Sequence, residues 1–456
     1  MTTPLFRKST FSKETNDSIY NKLGFSRNPF PSKPSVVIGS PNPVENGSIY
    51  LEELHEKERE IFEELLIPKP DKPAERTIAF LMDYATPRGR GIGKTSFLFH
   101  QSQRIMKDLG YELSKGSQVI FGVYVLPVSG DETKFWQFTK LLLDALVDNR
   151  IVATAMWRLR AFSGAIPDNV LESVGDEPEK TIGNDQWLNQ KGVDTFMHLP
   201  HFMERILAKL EISPELARAL SHYGGSPIEF RKQYISRINN VEWKKDGGKI
   251  LFDDLVKVFV AAGFNKGIFL CDGVERIIQS QNAKERRDFA ESVRYFFIDG
   301  QCENARTSFY SLLLTLHPYS QELLSPHWIA SGLDRFATLS GGQEADYTIY
   351  IHPLQQDSAK TLASVYLEAA RLKPAKKGSI EPFTRRSLEG ALIAANRVPG
   401  KFLNLLQLAV EKAIAMKWNT IDAEQIKIVI DARGKTELDK LDGLDVLPPS
   451  QVNLRE

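Results

Sequence analysis

Residues 88–96 read Arg-Gly-Arg-Gly-Ile-Gly-Lys-Thr-Ser, and this glycine-rich run constrains the fold more than any other part of the chain. It follows an apolar run at 77–84 and precedes a segment with helical spacing at 96–110, so we expect it to join a buried strand to a helix. Glycines allow several backbone N–H groups to face one point, and the following helix directs its positive end there. The run therefore predicts an anion-binding loop.

The order of residues in this loop is typical of a P-loop, although the glycine expected at position 88 is Arg88 here and a glycine follows one residue later. In a P-loop, the lysine reaches the β- and γ-phosphates of ATP and the following hydroxyl binds Mg²⁺. A flexible Gly/Arg-rich linker is the alternative interpretation. The residues predicted to bind ATP are Gly89, Arg90, Gly91, Ile92, Gly93, Lys94, Thr95 and Ser96, with Thr95 also predicted as a Mg²⁺ ligand.

An acidic residue at the end of a second apolar run, 267–272, predicts the other part of the magnesium site. A P-loop protein needs such a carboxylate to hold the metal, and Asp272 occupies this position. The residue after it is Gly273, where a catalytic Glu is usual, and Glu275 follows two residues later. Two interpretations of Glu275 stay open: a catalytic base, or a first-turn Glu favoured by the helix dipole.

Alternation of apolar runs with helical segments predicts an α/β fold. The stretch between the second and third runs is mostly helical in pattern, which predicts a helical insertion at about 150–250. The four segments after residue 356 predict an all-α lid. The runs predicted as strands are 77–84, 118–128, 267–272, 309–317 and 348–354.

These features, in this order, resemble an AAA+ ATPase over roughly residues 48–434. The chain is most similar to the initiator-type clade of origin-recognition, ExeA-type and transposon target-selection ATPases. The similarity lies in Leu-Gly-Phe-Ser-Arg-Asn-Pro-Phe at 23–30 and Arg-Val-Pro-Gly-Lys-Phe-Leu at 397–403. A weaker similarity, through residues 262–277, is to the ATP-binding proteins of phage-defence systems. The resemblance implies a P-loop NTPase fold, with a twisted parallel five-stranded sheet between helices and a helical lid.

The resemblance also implies roles for residues that no local pattern would single out. Thr315, at the end of a strand, would sense the γ-phosphate; a hydroxyl bonded to the backbone is the alternative. Arg335 would reach the nucleotide of a neighbouring subunit; an Asp334–Arg335 surface pair is the alternative. The lid position for a nucleotide-sensing Arg is occupied by Gly400, so the flanking Arg397 and Lys401 are the candidates.

Composition limits the class of protein. Lys+Arg and Asp+Glu are equal at 58 each, which argues against binding dominated by nucleic-acid electrostatics. Two cysteines, Cys271 and Cys302, cannot form a disulfide framework. No apolar run approaches the ~18–20 residues of a membrane helix, and the N-terminus lacks a secretory signal, so we expect a cytoplasmic protein with no membrane partner.

The expected divisions of the chain are an extended arm (1–47), a nucleotide-binding domain (48–345), a helical lid (346–434) and a polar tail (435–456).

The expected function is ATP binding and hydrolysis by a protein that assembles on, or regulates, DNA or a DNA-bound partner in defence, transposition or replication. The expected partners are ATP with Mg²⁺, further copies of the chain in a homo-oligomer, a protein docked on the helical insertion, and DNA. The six basic residues and one Glu of 371–386 give modest support to DNA binding, although a solvated loop between lid helices is the simpler interpretation. A STAND-type signalling switch with slow hydrolysis is the alternative; a metabolic kinase is a weaker third.

Overall fold

A computed structural model describes residues 19–33, 36–37, 40–70, 77–83, 91–126, 133–175, 177–223, 227–235, 243–245, 248–299, 307–339, 346–375 and 377–432. The chain divides into two compact units. The sheet unit comprises His55–Gly89 and Lys94–His352. The helical unit comprises Met1–Leu54, Arg90–Gly93 and Pro353–Glu456.

The sheet unit contains a five-stranded sheet in the order β2-β3-β4-β1-β5, in which every pairing is parallel. The predicted α/β class and the parallel five-stranded sheet are therefore confirmed. The chain leaves β1 for the far edge, returns through β3 and β4, and adds β5 on the other side of β1. The strands are β1 (Ile78–Asp83), β2 (Ile120–Val125), β3 (Lys266–Cys271), β4 (Tyr310–Thr315) and β5 (Thr348–Ile351).

Every residue of β1 to β4 is buried, which explains why these strands are near-continuous apolar runs instead of alternating ones. Helices cover the sheet faces, so neither face needs polar side chains. Two glycines bring neighbours close to the sheet: a Cβ on Gly122 would lie 2.5 Å from Ile105, and one on Gly267 would lie 2.4 Å from Phe121. Neither position therefore has room for a Cβ unless a neighbouring side chain moves.

Helices flank the sheet. One helix precedes β1, some connect strand to strand, and the others form the insertion between β2 and β3. The helices of this unit are α1 (Glu56–Leu66), α2 (Lys94–Lys107), α3 (Phe135–Asp148), α4 (Ile151–Phe162), α5 (Asp168–Leu171), α6 (Pro178–Thr181), α7 (Asp185–Gln190), α8 (His198–Ala208), α9 (Pro214–Ser221), α10 (Pro227–Phe230), α11 (Lys249–Ala261), α12 (Val274–Ser280), α13 (Ala283–Phe297) and α14 (Pro318–Ala330).

The helical insertion belongs to the core of the sheet unit. Met156, Leu188 and Met203 of the insertion are buried in the same hydrophobic cluster as Phe121 and Phe269 of the sheet. Removing the segment would expose this shared core. The insertion is therefore a poor candidate for deletion, and its surface is better tested with point substitutions.

The helical unit is built from α15 (Gln356–Ala370), α16 (Arg385–Ala394), α17 (Pro399–Met416) and a helix at 423–432. The sequence predicts the lid from residue 346, and the part of this unit that follows the sheet begins at Pro353, because Thr348–Ile351 forms β5. The predicted tail, 435–456, lies outside the described residues. None of the helices in the described part of the chain combines the length and apolarity that crossing a membrane requires.

The described part of the predicted N-terminal arm packs into this helical unit. Phe25 and Phe30 are 0% and 3% exposed and lie in its hydrophobic core. Asn28 Nδ2 donates to the Gln407 carbonyl at 3.2 Å, and Asn404 Nδ2 donates to the Ser32 carbonyl at 2.8 Å. These contacts hold residues 19–33, which belong to the predicted arm, against α15 and α17.

Candidate functional site

The polar residues of interest lie at one edge of the sheet. Asp83 is the last residue of β1, Asp272 follows the last residue of β3, and Thr315 is the last residue of β4. The three strands are adjacent and parallel, so their carboxyl ends meet at the same edge. In open parallel sheets, ligands bind outside this edge, where the strand order reverses.

Lys94, the first residue of α2, is held by Asp83. Its Nζ atom lies 3.0 Å from each carboxylate oxygen of Asp83 and 3.5 Å from the carbonyl oxygen of Leu316. The Lys94 side chain is 8% exposed and that of Asp83 is 0% exposed. This buried ion pair joins the start of α2 to the end of β1.

The charges around this pair affect its two members differently. Burial lowers the pKa of Lys94, but the attraction of Asp83, Glu275 and Asp272 together outweighs burial, so the net change is upward. Burial raises the pKa of Asp83 to about 6, against the opposing effect of Lys94. Lys94 therefore stays an ammonium at neutral pH, and Asp83 is the member of the pair that is more easily neutralised.

Asp272 binds three donors from different elements. Its Oδ2 accepts from Thr95 Oγ1 at 2.6 Å and from the Tyr124 hydroxyl at 2.9 Å, and its Oδ1 accepts from the Gly273 N–H at 2.9 Å. Thr95 is the second residue of α2 and Tyr124 lies on β2. The carboxylate thus connects the start of α2 to the ends of two strands.

Burial raises the pKa of Asp272, and repulsion from Glu275 raises it further. The hydrogen bonds from Thr95, Tyr124 and Gly273 oppose both effects because they stabilise the charged carboxylate. Burial, followed by the charge of Asp272, raises the pKa of the Tyr124 phenol, so this hydroxyl remains a donor at neutral pH. Asp272 is therefore held in place as an acceptor with an oxygen atom beside Thr95.

Glu275 lies in the first turn of α12. Gly273, in the left-handed conformation at φ 65°, precedes that helix and turns the chain from β3 into it. The Thr315 hydroxyl, 0% exposed by residue, donates to Glu275 Oε2 at 3.0 Å. Thr315 therefore bonds to a side chain, and the alternative interpretation of a hydroxyl satisfied by the backbone is not needed.

His317 is a neighbour of Lys94 that the sequence analysis did not assign. Its Nδ1 accepts from the Tyr319 N–H at 3.2 Å, so the neutral ring carries its proton on Nε2. Burial, followed by the charge of Lys94, lowers the pKa of His317 to about 4. Nε2 is buried and has no hydrogen-bond partner among the described residues. At neutral pH it is a donor that an entering acceptor could use.

The glycine-rich loop is described only in part. Gly89 and Arg90 lie outside the described residues. Gly91 and Gly93 have φ of 80° and 115°, a region that favours glycine over other residues. Ile92 is buried at 2% exposure, and Ser96, on α2, is half-buried. The positive φ values are the backbone conformation that the glycine spacing predicts.

Arg335 follows α14 in the chain. It ends the short 3-10 helix Leu333–Arg335, is exposed, and lies against Gly332 beside Arg294. Asp334 accepts a hydrogen bond from the Leu339 N–H, and within the described ranges no ion pair joins Arg335 to an acidic side chain. The proposed Asp334–Arg335 surface pair is therefore not found.

The two lid candidates lie at the start of α17. Arg397 has φ 59°, is exposed, and donates to Gln355 Oε1 at 3.3 Å. Lys401 is half-buried in the first turn of the helix. Between them, the Gly400 N–H donates to the Gly91 carbonyl at 2.8 Å. Gly400 therefore contacts the glycine-rich loop through its backbone.

The oxygens of Thr95 and Asp272 suit a hard cation. They lie 2.6 Å apart at the start of α2, and Mg²⁺ prefers carboxylate and hydroxyl oxygens. The described residues contain no group of three or more His, Cys, Asp or Glu side chains that could hold a metal ion by themselves. A magnesium ion would therefore need further oxygens from a ligand and from water.

Sequence reasoning missed Asp83, Tyr124 and His317. Asp83 ends an apolar run, and that position was the available signal, because Asp272 was selected on the same ground. Tyr124 lies inside a buried strand, where an aromatic residue is typical of core packing.

Comparison of the chain with protein-family profiles, curated proteins and solved structures gives no match.

Proposed function

We propose that this chain binds and hydrolyses ATP as a P-loop protein of the AAA+ type. The observation that carries the proposal is the bond from Thr95 Oγ1 to Asp272 Oδ2, 2.6 Å long, beside the buried Lys94 ammonium. A lysine and a hydroxyl at the start of a helix, facing a carboxylate at the end of a nearby parallel strand, form the set of groups that binds a magnesium-bound phosphate chain.

Each group has a distinct role in the proposal. The N–H groups at the start of α2 would hold phosphate oxygens, and Lys94 would add a positive charge beside them. Thr95 and Asp272 would hold Mg²⁺, which when bound neutralises charge on the phosphates. Buried His317 Nε2–H is a further donor beside Lys94.

Hydrolysis needs a group that orients water, and Glu275 is our candidate. A carboxylate has about four lone-pair positions, so the bond from Thr315 leaves capacity to accept from a water molecule. That bond fixes the carboxylate relative to the end of β4. Thr315 would then act as a positioning residue through Glu275, a role the sequence analysis did not foresee.

A STAND-type switch with slow hydrolysis remains the second candidate. Gly273 occupies the position directly after Asp272, and Glu275 approaches from the first turn of α12. A base placed on a helix instead of the strand end favours slow turnover. Turnover measured alone and with increasing protein concentration separates the two candidates.

DNA and protein partners are the broader part of the proposal. In the basic segment 371–386, Arg371 donates to carbonyl oxygens of Ser379 and Glu381 and lies over the Phe25 ring, so this side chain already has an intramolecular role. On the insertion, Phe196 and Met197 are 80% and 74% exposed and are the residues we would substitute to test partner docking. DNA binding through phosphates would weaken steeply as salt rises.

Replacing Lys94 with alanine tests the proposal directly. We expect the dissociation constant for Mg-ATP to rise about 100-fold, because a charge-assisted hydrogen bond contributes about 1.5–3 kcal/mol and each 1.4 kcal/mol is a tenfold change. Isothermal titration calorimetry would measure it. Lys107→Ala, at the exposed end of the same helix, is the matched control and should bind as the wild type does. Equal affinity of a folded Lys94→Ala protein and the wild type would refute the assignment.

A further inference from the structure

The buried pair of Lys94 and Asp83 leaves the ammonium no unused hydrogen bond. A lysine ammonium has three N–H donors. The two oxygens of Asp83, each at 3.0 Å, and the Leu316 carbonyl at 3.5 Å provide three acceptors. A phosphate oxygen can therefore bond to Lys94 only by replacing one of these acceptors.

Asp83 is the acceptor that a phosphate resembles most. Both are anions that accept hydrogen bonds from an ammonium, so the same positive charge stabilises both. Almost complete burial of the two side chains removes water that would otherwise weaken their attraction. Moving Lys94 to a phosphate would leave a buried carboxylate without its cation, with the charge of Glu275 nearby. The free-energy cost of separating the pair therefore exceeds that of losing one hydrogen bond, and this cost opposes ligand binding.

We propose that Asp83 is an internal competitor for Lys94, which lowers the affinity of the site for the phosphate chain of a nucleotide until Asp83 is displaced. This inference rests on the proposed function and names a residue that regulates the same site. Asp83 contributes no group to the ligand. It sets how strongly the phosphates must attract Lys94 before they bind.

Replacing Asp83 with asparagine keeps the shape of the side chain and removes its charge. We expect the dissociation constant for Mg-ATP to fall at least about tenfold, the change that 1.4 kcal/mol produces. The dissociation constant for inorganic triphosphate, which has no base or sugar, should fall by a similar factor. Adenosine, which has no phosphate, should bind as it does to the wild type. Calorimetry on the full chain, with circular dichroism to verify folding, measures all three.

Asp254→Asn is the matched control. Asp254 is also a buried carboxylate of the sheet unit, 5% exposed, and it accepts from the Ser213 N–H at 2.9 Å. This substitution removes a buried charge elsewhere and should leave affinity for ATP and triphosphate unchanged. Asp83→Ser provides a second uncharged variant in a smaller side chain.

The outcomes separate this inference from the proposed function. Tighter binding of ATP and triphosphate by either folded Asp83 variant supports the competition. If Lys94→Ala weakens binding but neither Asp83 variant tightens it, Asp83 is not a competitor, and the nucleotide site stands. If neither Asp83 variant folds, Asp83 is a structural partner of Lys94 and the inference is wrong. If ATP binding does not depend on Lys94, the proposed function itself fails.

Discussion

Replacing Arg335 with alanine is expected to lower ATP hydrolysis about 10³-fold or more while leaving ATP affinity unchanged. An arginine that stabilises charge on the transferred phosphate contributes about 10³–10⁵ in rate where one is established. We propose that Arg335 does this for a neighbouring copy of the chain. β4 ends at the edge that carries the candidate site, and the 13 residues of α14, about 20 Å of helix, separate that strand from Arg335.

The arginine would therefore act on a neighbouring copy, and hydrolysis per chain should rise with protein concentration. Arg287→Ala is the control: this exposed arginine pairs with Glu291 on α13 and should not affect turnover. Phosphate release measured across a range of concentrations checks both variants. Turnover that is independent of concentration, and equal in the Arg335→Ala and wild-type proteins, would make Arg335 a surface residue and favour the switch.

Replacing Glu275 with glutamine is expected to lower turnover by about 10²–10⁴-fold, the usual contribution of a general base, with ATP binding retained. The amide keeps an oxygen to accept from Thr315 but cannot take a proton from water. Single-turnover hydrolysis measures the chemical step. Glu291→Gln, on the exposed face of α13, is the matched substitution and should be neutral.

Mixing two inactive chains distinguishes a base from a residue that only supports the fold. An interface between an Arg335→Ala chain and a Glu275→Gln chain can combine an intact arginine with an intact base, so the mixture should recover some activity. If Glu275→Gln turns over ATP as fast as the wild type, Glu275 is a first-turn acidic residue of α12 and the base must be sought elsewhere.

The strands of the sheet could be predicted because they are short apolar runs, and burial on both faces leaves a strand few polar positions. The approach of Thr95 to Asp272 could also be anticipated, since a residue at the start of a helix and one at a strand end were each identified by a local pattern. The structure brings their oxygens within 2.6 Å.

The pairing of Asp83 with Lys94 could not be predicted in the same way. A strand-end carboxylate is compatible with binding a metal, capping a helix or facing solvent, and only the position of Lys94 in three dimensions selects among these. Tyr124 illustrates the same limit, because its hydroxyl reaches Asp272 through the register between β2 and β3. Phe25 and Phe30 lie in a segment without periodicity, so their burial depends on α15 and α17, not on local pattern.

The ionisable groups around Lys94 affect which charge state of a nucleotide can bind. One ammonium faces three carboxylates, those of Asp83, Asp272 and Glu275, all of which affect its pKa. When ionised, this group carries excess negative charge, so a bare polyphosphate would add anion to anion. A polyphosphate that arrives with its divalent cation instead brings the positive charge that Asp272 and Thr95 can bind. We therefore expect the chain to discriminate between free nucleotide and its magnesium complex, two forms of the same molecule, and to take up the complex.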